Sequence, residues 1–287
     1  MTVATDPLVL ERQAVRLVVA PQRGGAIREF RWRGEAVLRP ASPGIADDPF
    51  TMACFPMVPF VNRIADGRLG FAGRTVQLRR NWSEDPHPLH GQGWRASWAV
   101  VAATSSDATL RFEGGGDDWP WRYRAEQRFE LLDDALSIAL AIENLSDTAM
   151  PAMLGLHPYF PQAAHARLGV RLPRLWRTDG AALPIEEVDT PPGWGFEPPR
   201  AVSELPLDHC FCGWNGHAVL AWPERTVTVR ALDCAFLHVY APTGRDFFCI
   251  EPQNGAPGRL AREADPAWVL APGERVEIRV EFEVAAR

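Results

Sequence analysis

Four short stretches of the chain combine titratable side chains with Gly, Pro and aromatic residues, and they interrupt an otherwise regular pattern. They are Phe60–Gly67, His87–Trp94, Gly155–Phe160 and Ile250–Pro257. A shorter block, Leu207–Phe211, also places an acid beside a histidine. Because binding and catalytic side chains are concentrated in loops held by a rigid scaffold, these stretches are predicted to be loops that carry a site.

Taken one at a time, the polar residues of these stretches have ordinary structural interpretations. Arg63 could be a surface arginine, His157 could precede a turn proline, and Glu251 could be a solvated carboxylate at a strand end. Their interest lies in the set. A carboxylate and histidines can move protons, and an arginine supplies fixed hydrogen-bond donors to a polar substrate.

Three other kinds of site agree less well with these residues. His87 and His90 would need a convincing second pair of ligands to make a tetrahedral zinc site, so no metal is expected. No Gly-x-Ser-x-Gly stretch indicates a nucleophilic hydrolase. A glycoside hydrolase needs two facing carboxylates, and Asp208 and Glu251 could supply them. That interpretation leaves the histidine motifs unused.

The elements that must position these residues are predicted to be strands, because the dominant hydrophobic period is two. Apolar and polar residues alternate without a break over Val276–Val284. Tyr123–Leu131 and Leu136–Ile142 flank a turn at Asp133-Asp134 and predict a hairpin. Further predicted strands are Thr109–Glu113, Thr226–Leu232 and Phe236–Tyr240.

The predicted fold class is all-β, a large antiparallel β-sandwich with little helix. No stretch of ordinary helical length has an apolar stripe at helical spacing, and Arg259–Glu263 could form at most a turn or two. Pro184–Pro206 lacks periodicity and is rich in Pro and acidic residues, which predicts a long loop. With no repeat or shift in composition, residues 1–287 are predicted to form one domain.

Composition excludes several classes of protein. The chain has 287 residues and a net charge of -6, whereas nucleic-acid binding needs a basic face, so no nucleic-acid partner is expected. No window approaches the roughly 20 apolar residues of a membrane span, and no secretory signal is visible. The five dispersed cysteines do not form a disulfide framework. A cytoplasmic protein without a membrane partner is therefore expected.

The order of the motifs resembles that of the aldose 1-epimerase family of sugar mutarotases. The matching residues, spread over roughly residues 24 to 284, are Asn62-Arg63-Ile64, Leu89-His90-Gly91, His157-Pro158-Tyr159-Phe160, Asp208 and Glu251-Pro252. The resemblance implies a large antiparallel β-sandwich that binds a small-molecule sugar in an open cleft. It also implies a redox-neutral reaction carried out by side chains alone, with no cofactor.

The resemblance also implies which residues transfer protons. By this match, Glu251 is the catalytic base, His157 is the catalytic acid, and His90 is a second histidine near the ring oxygen. A proton leaves the C1 hydroxyl while another reaches the ring oxygen, and the ring opens to an aldehyde. Rotation about C1–C2 and the reverse steps give the other anomer. Histidine suits this work because its reference pKa of about 6.5 lies near neutrality.

Four further residues are expected to bind the sugar. Arg63 and Asp208 match the family residues that hold hydroxyl groups, and Asn62 is grouped with Arg63. Trp94 follows the Leu-His-Gly turn and could cover the C–H face of the sugar ring, although core packing is an equally common use of tryptophan.

Two alternatives to a free-sugar epimerase stay open. A hexose-6-phosphate 1-epimerase would need basic residues for the phosphate, and Arg79-Arg80 near the His90 loop is a candidate pair. A non-catalytic sugar-binding protein of the same fold would lack the acid or the base. His157 and Glu251 are both present, which favours the enzyme. Neither the identity of the sugar nor the oligomeric state follows from the sequence.

Overall fold

Two large antiparallel sheets form the framework of the protein. The computed structural model describes residues 7–42, 48–161, 166–258, 260 and 268–287. The eleven-stranded sheet contains β1 (Leu8–Arg12), β2 (Val15–Ala20), β3 (Ala26–Trp32), β4 (Glu35–Ala36), β5 (Cys54–Met57), β13 (Gly155–Pro161), β15 (Arg174–Thr178), β16 (Pro184–Asp189), β18 (Leu207–Cys212), β21 (Phe236–Ala241) and β22 (Phe247–Gln253). The nine-stranded sheet contains β8 (Ala99–Ala103), β9 (Asp107–Gly114), β10 (Tyr123–Leu131), β11 (Ala135–Asn144), β14 (Arg167–Val170), β17 (Phe196–Ala201), β19 (His217–Ala221), β20 (Arg225–Leu232) and β24 (Arg275–Ala286).

Smaller elements complete the described structure. Two-stranded ladders join β6 (Arg68–Phe71) to β7 (Arg74–Gln77) and β12 (Met150–Pro151) to β23 (Val269–Leu270). Single 3-10 turns lie at Pro49–Thr51, Ala65–Gly67, Gly93–Arg95 and Val202–Glu204. Over the described residues, no helix is long and apolar enough to cross a membrane.

At the centre of the eleven-stranded sheet, strands that are far apart in the sequence lie side by side. Its order is β1-β2-β3-β5-β13-β22-β21-β18-β15-β16, with β4 paired to β3. The nine-stranded sheet has the order β17-β14-β19-β20-β24-β11-β10-β9-β8. The ladders of both sheets are antiparallel, which confirms the predicted all-β antiparallel architecture.

The predicted strands with clear alternation are confirmed. The hairpin of β10 and β11 pairs Tyr123 with Asn144 and Leu131 with Leu136. The alternating segment Val276–Val284 lies within β24, which pairs with both β11 and β20. Alternation identifies these strands because successive side chains point to opposite faces of a sheet.

The main core lies between the two large sheets. Phe282 of β24 lies with its ring centroid 6.4 Å from that of Phe30 on β3 and 6.2 Å from that of Phe160 on β13. All three side chains are buried. Burying an aromatic side chain of this size stabilises a fold by about 1.5–3 kcal/mol. Contacts of this kind hold the two sheets face to face.

The prediction of a long loop over Pro184–Pro206 is wrong. Most of the segment forms β16 and β17, which are edge strands of the two sheets. Proline is tolerated at a sheet edge because no neighbouring strand needs its missing N–H, so an edge strand can lack ordinary strand composition. The predicted helical turn at Arg259–Glu263 lies almost entirely outside the described residues.

Three of the five stretches predicted as site-bearing loops are strands in whole or in part. Gly155–Phe160 lies in β13, Leu207–Phe211 lies in β18, and Ile250–Pro257 begins inside β22. The two central strands, β13 and β22, are buried along nearly their whole length on both faces. A strand covered on both faces need not alternate between apolar and polar residues, so the prediction missed them.

Candidate active site

A row of side chains crosses four neighbouring strands of the eleven-stranded sheet. Phe55 of β5 pairs with His157 of β13, and Glu251 of β22 pairs with His238 of β21. The register of the β13–β22 ladder sets His157 opposite Glu251. Because paired residues in an antiparallel sheet point to the same face, the two histidines and the carboxylate form one polar row.

Asp208 lies one step along the same face. It stands on β18 and pairs with Tyr240 of β21, two residues beyond His238. Residues two apart in a strand share a face, so Asp208 and His238 are diagonal neighbours. The Nε2–H of His238 donates to Oδ1 of Asp208 at 2.8 Å. The sheet itself therefore brings together groups separated by up to about a hundred residues in sequence.

Two loops bring the remaining predicted residues to this face. Isolated bridges pair Val58 with Gly91 and Arg63 with Leu89, which ties one loop to the other. Gly91 has φ 76°, and a Cβ at this position would lie 2.2 Å from the carbonyl oxygen of Val58. Only glycine fits this close approach without displacing backbone.

Asn81 holds the histidine-bearing loop in place, and its role was not predicted. Its Nδ2 donates to the carbonyl oxygens of Leu89 at 2.7 Å and Gly91 at 2.8 Å. Its Oδ1 accepts from the N–H of Leu89 at 2.8 Å. These three bonds bracket His90 and satisfy backbone groups that no strand partner satisfies. Asparagine is common in loops, so its identity gave no signal.

His90 is a neutral hydrogen-bonding group. The backbone N–H of Asn62 donates to its Nδ1 at 3.3 Å, so the neutral ring carries its proton on Nε2. Burial is the main cause that lowers the pKa of His90 well below its ordinary value, and the charge of Arg63 adds to it. His90 is therefore suited to donate a hydrogen bond to a substrate oxygen rather than to act as a cationic acid.

Arg63 is held by two acceptors on its own side of the cleft. Its Nε donates to Oδ2 of Asp85 at 2.7 Å, and its Nη1 donates to Oδ1 of Asn62 at 3.4 Å. Among the described residues, no hydrogen-bond partner is found for Nη2. The Asn62 Oδ1 also accepts from the Arg63 backbone N–H at 2.8 Å. Asn62 lines the cleft, but its side-chain oxygen is occupied in orienting Arg63.

His157 and Glu251 form a buried pair. The Nε2 of His157 lies 3.2 Å from Oε1 of Glu251, and the imidazole stacks against the rings of Phe55 and Tyr159, with centroid distances of 4.5 Å and 4.7 Å. Burial lowers the pKa of His157 to about 3. Burial raises the pKa of Glu251 to about 7. Since the neutral form is favoured on both partners, a single added proton belongs to the pair rather than to one residue.

His238 and Asp208 form a charged pair instead. Burial alone would lower the pKa of His238, but the carboxylates of Glu251 and Asp208 outweigh it, so the pKa is raised. Burial likewise opposes ionisation of Asp208, yet the hydrogen bond from His238 leaves its pKa lowered. His238 was not predicted. Its signal was a single imidazole within the otherwise apolar strand Phe236–Tyr240.

The polar groups line a cleft of about 450 Å³. This volume suits a small molecule, for which sites of about 300–1,000 Å³ are usual. Aromatic side chains form part of the wall, namely Phe50, Trp82, Tyr159, Tyr240 and Phe247. Aromatic faces beside fixed donors and acceptors can cover the C–H face of a sugar ring while its hydroxyls are hydrogen-bonded.

Comparison with known proteins identifies the family. The sequence pattern of the aldose 1-epimerase family matches residues 6–283. The chain belongs to the aldose 1-epimerase family. This confirms the family resemblance and agrees with the antiparallel sandwich of the observed fold.

Individual proteins also align over nearly the whole chain. The uncharacterized protein YphB of Escherichia coli K12 is 32% identical over 291 residues, covering 95% of this chain and 98% of its own. The crystal structure of a candidate aldose 1-epimerase from Escherichia coli K12 superimposes with a TM-score of 0.89 at 28% identity, covering 98% and 99% of the two chains. A galactose mutarotase-like protein from Clostridium acetobutylicum shares the fold, with a TM-score of 0.86 at 18% identity and coverage of 98% and 95%.

The cleft of this family member gathers most of the predicted site residues. Six of the seven line it, namely Asn62, Arg63, His90, His157, Asp208 and Glu251. Their separate catalytic and binding roles stay predictions. The cleft also contains His238, Arg39 and aromatic residues that were not predicted as site residues.

Trp94 does not line the cleft, so its predicted role in covering a sugar ring does not fit its position. It is fully buried, with its ring centroid 5.4 Å from that of Phe55 and 5.5 Å from that of His90. Its Nε1 donates to the carbonyl oxygen of Gly91 at 3.1 Å. Trp94 supports the His90 loop from the core, whereas Trp82 lines the cleft.

Arg79 and Arg80 do not provide the phosphate site considered from the sequence. Arg79 donates to Asp118 at 2.6 Å and to Asp117 at 3.2 Å. Arg80 donates to the carbonyl oxygen of Trp82 at 3.3 Å. Neither arginine belongs to the cleft lining. The pair is therefore a solvated surface feature, and it gives no support to a hexose-6-phosphate substrate.

One group of side chains has a spacing that a metal ion could use. Ligand atoms of His157, Cys249 and Glu251 all lie within 4.8 Å of one another. Burial raises the pKa of the Cys249 thiol well above its ordinary value, and a neutral thiol is a poor metal ligand. The donor set therefore fits proton transfer between His157 and Glu251 better than metal coordination.

Proposed function

We propose that this protein interconverts the α and β anomers of a free aldose. The observation that carries the proposal is the contact between His157 and Glu251, whose proton-exchanging atoms lie 3.2 Å apart in a sugar-sized cleft. An acid and a base that neighbour one another can each reach one of the two adjacent sugar oxygens, O1 and O5, when the sugar binds over the pair. The family of the chain supports the same reaction.

In the proposed mechanism, sugar binding places the single proton of the pair on His157 and leaves Glu251 ionised. The C1 hydroxyl donates to Glu251, which favours the carboxylate, and the ring oxygen accepts from His157, which favours the imidazolium. The O1–H proton then passes to Glu251 as the C1–O1 bond gains double-bond character. The C1–O5 bond breaks, and its electron pair takes the proton of His157. The product is an open-chain aldehyde with a C5 hydroxyl.

Ring closure uses the same groups in reverse. After rotation about C1–C2, Glu251 returns a proton to the carbonyl oxygen while His157 removes the proton of the C5 hydroxyl. The C5 oxygen attacks the other face of C1, so the opposite anomer forms and both side chains regain their starting protonation. The reaction is redox-neutral, and its proton balance closes on the two residues alone.

The other cleft residues orient the sugar in this proposal. Arg63 and Asp208 bind hydroxyl groups, as a fixed donor and a fixed acceptor. Neutral His90 donates a hydrogen bond near the ring oxygen. Asn62 contributes mainly by orienting Arg63, because its Oδ1 accepts a hydrogen bond from Nη1 of Arg63.

Polarimetry of freshly dissolved pure anomers tests the proposal. Across a panel of aldoses, the wild-type protein is expected to accelerate mutarotation of at least one sugar. Glu251→Gln keeps the shape and hydrogen bonding of the side chain but removes the base, so kcat is expected to fall by about 10²–10⁴-fold. The matched control is Glu224→Gln, at an exposed position in the turn between β19 and β20, which is expected to retain the wild-type rate.

Two outcomes would contradict the proposal. One is a wild-type protein that accelerates no aldose although it binds sugars, which would favour a binding protein of the same fold. The other is a Glu251→Gln variant that turns over at the wild-type rate.

A further inference from the structure

One buried histidine in the polar row is not used by the proposed proton transfers. His238 of β21 is 5% exposed and stands directly opposite Glu251 of β22. On its other side, its Nε2 donates to Asp208 of β18 at 2.8 Å. A single imidazole therefore lies between the proposed base and the proposed hydroxyl-binding carboxylate.

The two ring nitrogens of His238 are unsuited to direct contact with a sugar. Nε2 is occupied by Asp208, and Nδ1 is buried with no hydrogen-bond partner among the described residues. A general acid must reach the substrate oxygen within hydrogen-bond distance, directly or through one water. His238 therefore acts through its neighbours, and its charge is what it can contribute.

Glu251 needs a nearby cation to work as a base. It is 3% exposed, and loss of hydration favours the protonated carboxyl. Arg63, the nearby guanidinium in the cleft, is already paired with Asp85 at 2.7 Å. Burial raises the pKa of Glu251 to about 7, and attraction to His238 is the largest effect that opposes this rise.

The surroundings of His238 favour its charged form. The titratable and charged groups that face it from the adjacent strands and loops are Glu251, Asp208, His157, His90, Arg63, His209, Cys210 and Tyr240. Burial lowers the pKa of His90 and His157, which favours their neutral forms, and burial raises the pKa of the Cys210 thiol well above its ordinary value. The carboxylates of Glu251 and Asp208 thus dominate the field at the imidazole.

We propose that His238 is a positioning residue whose imidazolium, held by Asp208, keeps Glu251 ionised as the proton acceptor. This role rests on the proposed epimerase activity. In this proposal, the positive charge that stabilises the Glu251 carboxylate is on His238 of β21 rather than on His157. It also explains how a carboxylate in such a buried position can still accept a proton near neutrality.

The pH dependence of His238→Gln tests this role. Glutamine can still donate to Asp208 but carries no charge, so the pKa of Glu251 is expected to rise by about one unit or more, as for loss of a close opposite charge. The acidic limb of the kcat/KM profile should move to higher pH by the same amount. Activity should fall about tenfold on that limb and recover in alkaline buffer.

The control is His217→Gln, which makes the same change at an exposed position on β19. Its pH profile should match that of the wild type. An unshifted profile for His238→Gln, or one lowered equally at every pH, would overturn the proposal. If His238→Gln does not fold, His238→Asn replaces it in the same measurement.

A second measurement separates this role from the proposed reaction. Carbon-13 NMR of the Glu251 carboxyl, assigned by loss of its signal in Glu251→Gln, reports the pKa of this group without any turnover. A higher pKa in His238→Gln supports the role of His238 even if the wild type accelerates no aldose, in which case only the reaction is wrong. An unchanged pKa overturns the role even if the wild type is an active epimerase.

Discussion

The nine-stranded sheet and the centre of the eleven-stranded sheet consist of the same antiparallel strands but bury different side chains. In β11 and β24, buried positions hold apolar residues such as Leu140 and Phe282. In β13, β22 and β21, one face contributes apolar side chains to the core, while the other buries His157, Glu251 and His238. The buried apolar side chains of the first region stabilise the fold, whereas the second region removes titratable groups from water.

This difference explains why the site has perturbed protonation. Burying a charged group away from water is unfavourable, and the protein reduces this cost by neutralising the group or by pairing it. His157 is neutralised, the pKa of Glu251 is raised to about 7, and His238 is paired with Asp208. The apolar faces of the same strands offset the remaining cost. Substitutions in the polar row should therefore reduce activity rather than stability. Substitutions in the nine-stranded sheet should reduce stability rather than activity.

The largest effect is expected for His157→Asn, which removes the proposed proton donor from the polar row. The value of kcat should fall by about 10²–10⁴-fold, the usual contribution of a general acid, with a smaller change in KM. Steady-state polarimetry of a responsive aldose measures both constants. His217→Asn makes the same change on the exposed surface of β19 and should leave both unchanged. A fully active His157→Asn would show that the polar row is not catalytic.

A comparable loss, in stability rather than activity, is expected for Leu140→Ala on β11. Removing a fully buried leucine side chain should lower the free energy of unfolding by about 2–5 kcal/mol through lost burial and the cavity left behind. Denaturant unfolding measures this change, with the half-exposed Val101 of β8 replaced by alanine as the control. Specific activity of the folded protein should not change. A variant that keeps its stability but loses activity would contradict the division between the regions.

A smaller effect of opposite sign is expected for the stability of Glu251→Gln. Glu251 has a pKa of about 7 in the fold, whereas an unfolded glutamate titrates at about 4.3. Between these values the folded state binds more protons than the unfolded state, so wild-type stability falls as pH rises through that window. Glutamine does not titrate. Above pH 7 the variant should be more stable than wild type by up to about 4 kcal/mol.

Thermal or denaturant unfolding at a series of pH values tests this expectation. The advantage of Glu251→Gln should be greatest in alkaline buffer and should vanish at about pH 3, where both states of the wild type are protonated. Glu224→Gln, at an exposed position, should show no such pH dependence. Equal stabilities of wild type and Glu251→Gln at every pH would mean that the buried carboxylate imposes no cost on the fold.

The sequence by itself determined the fold class and the types of residue that do the chemistry. Alternation over Tyr123–Leu131 and Val276–Val284 is a local property, because successive side chains of a strand always point to opposite faces. It therefore predicted β10 and β24 without knowledge of their neighbours. The ordered motifs containing His157 and Glu251 likewise identified the family before their positions in the sheet were known.

Only the tertiary structure decided how those residues are placed and charged. His157 and Glu251 lie on strands rather than loops, Trp94 lies in the core, and His238 joins the site. Each of these facts depends on the register between strands that are distant in sequence and on burial by both sheets. Local periodicity carries no information about either. Protonation follows burial and neighbouring charge, so the protonation of His157, Glu251, His238 and Asp208 could be inferred only after the sheets had assembled.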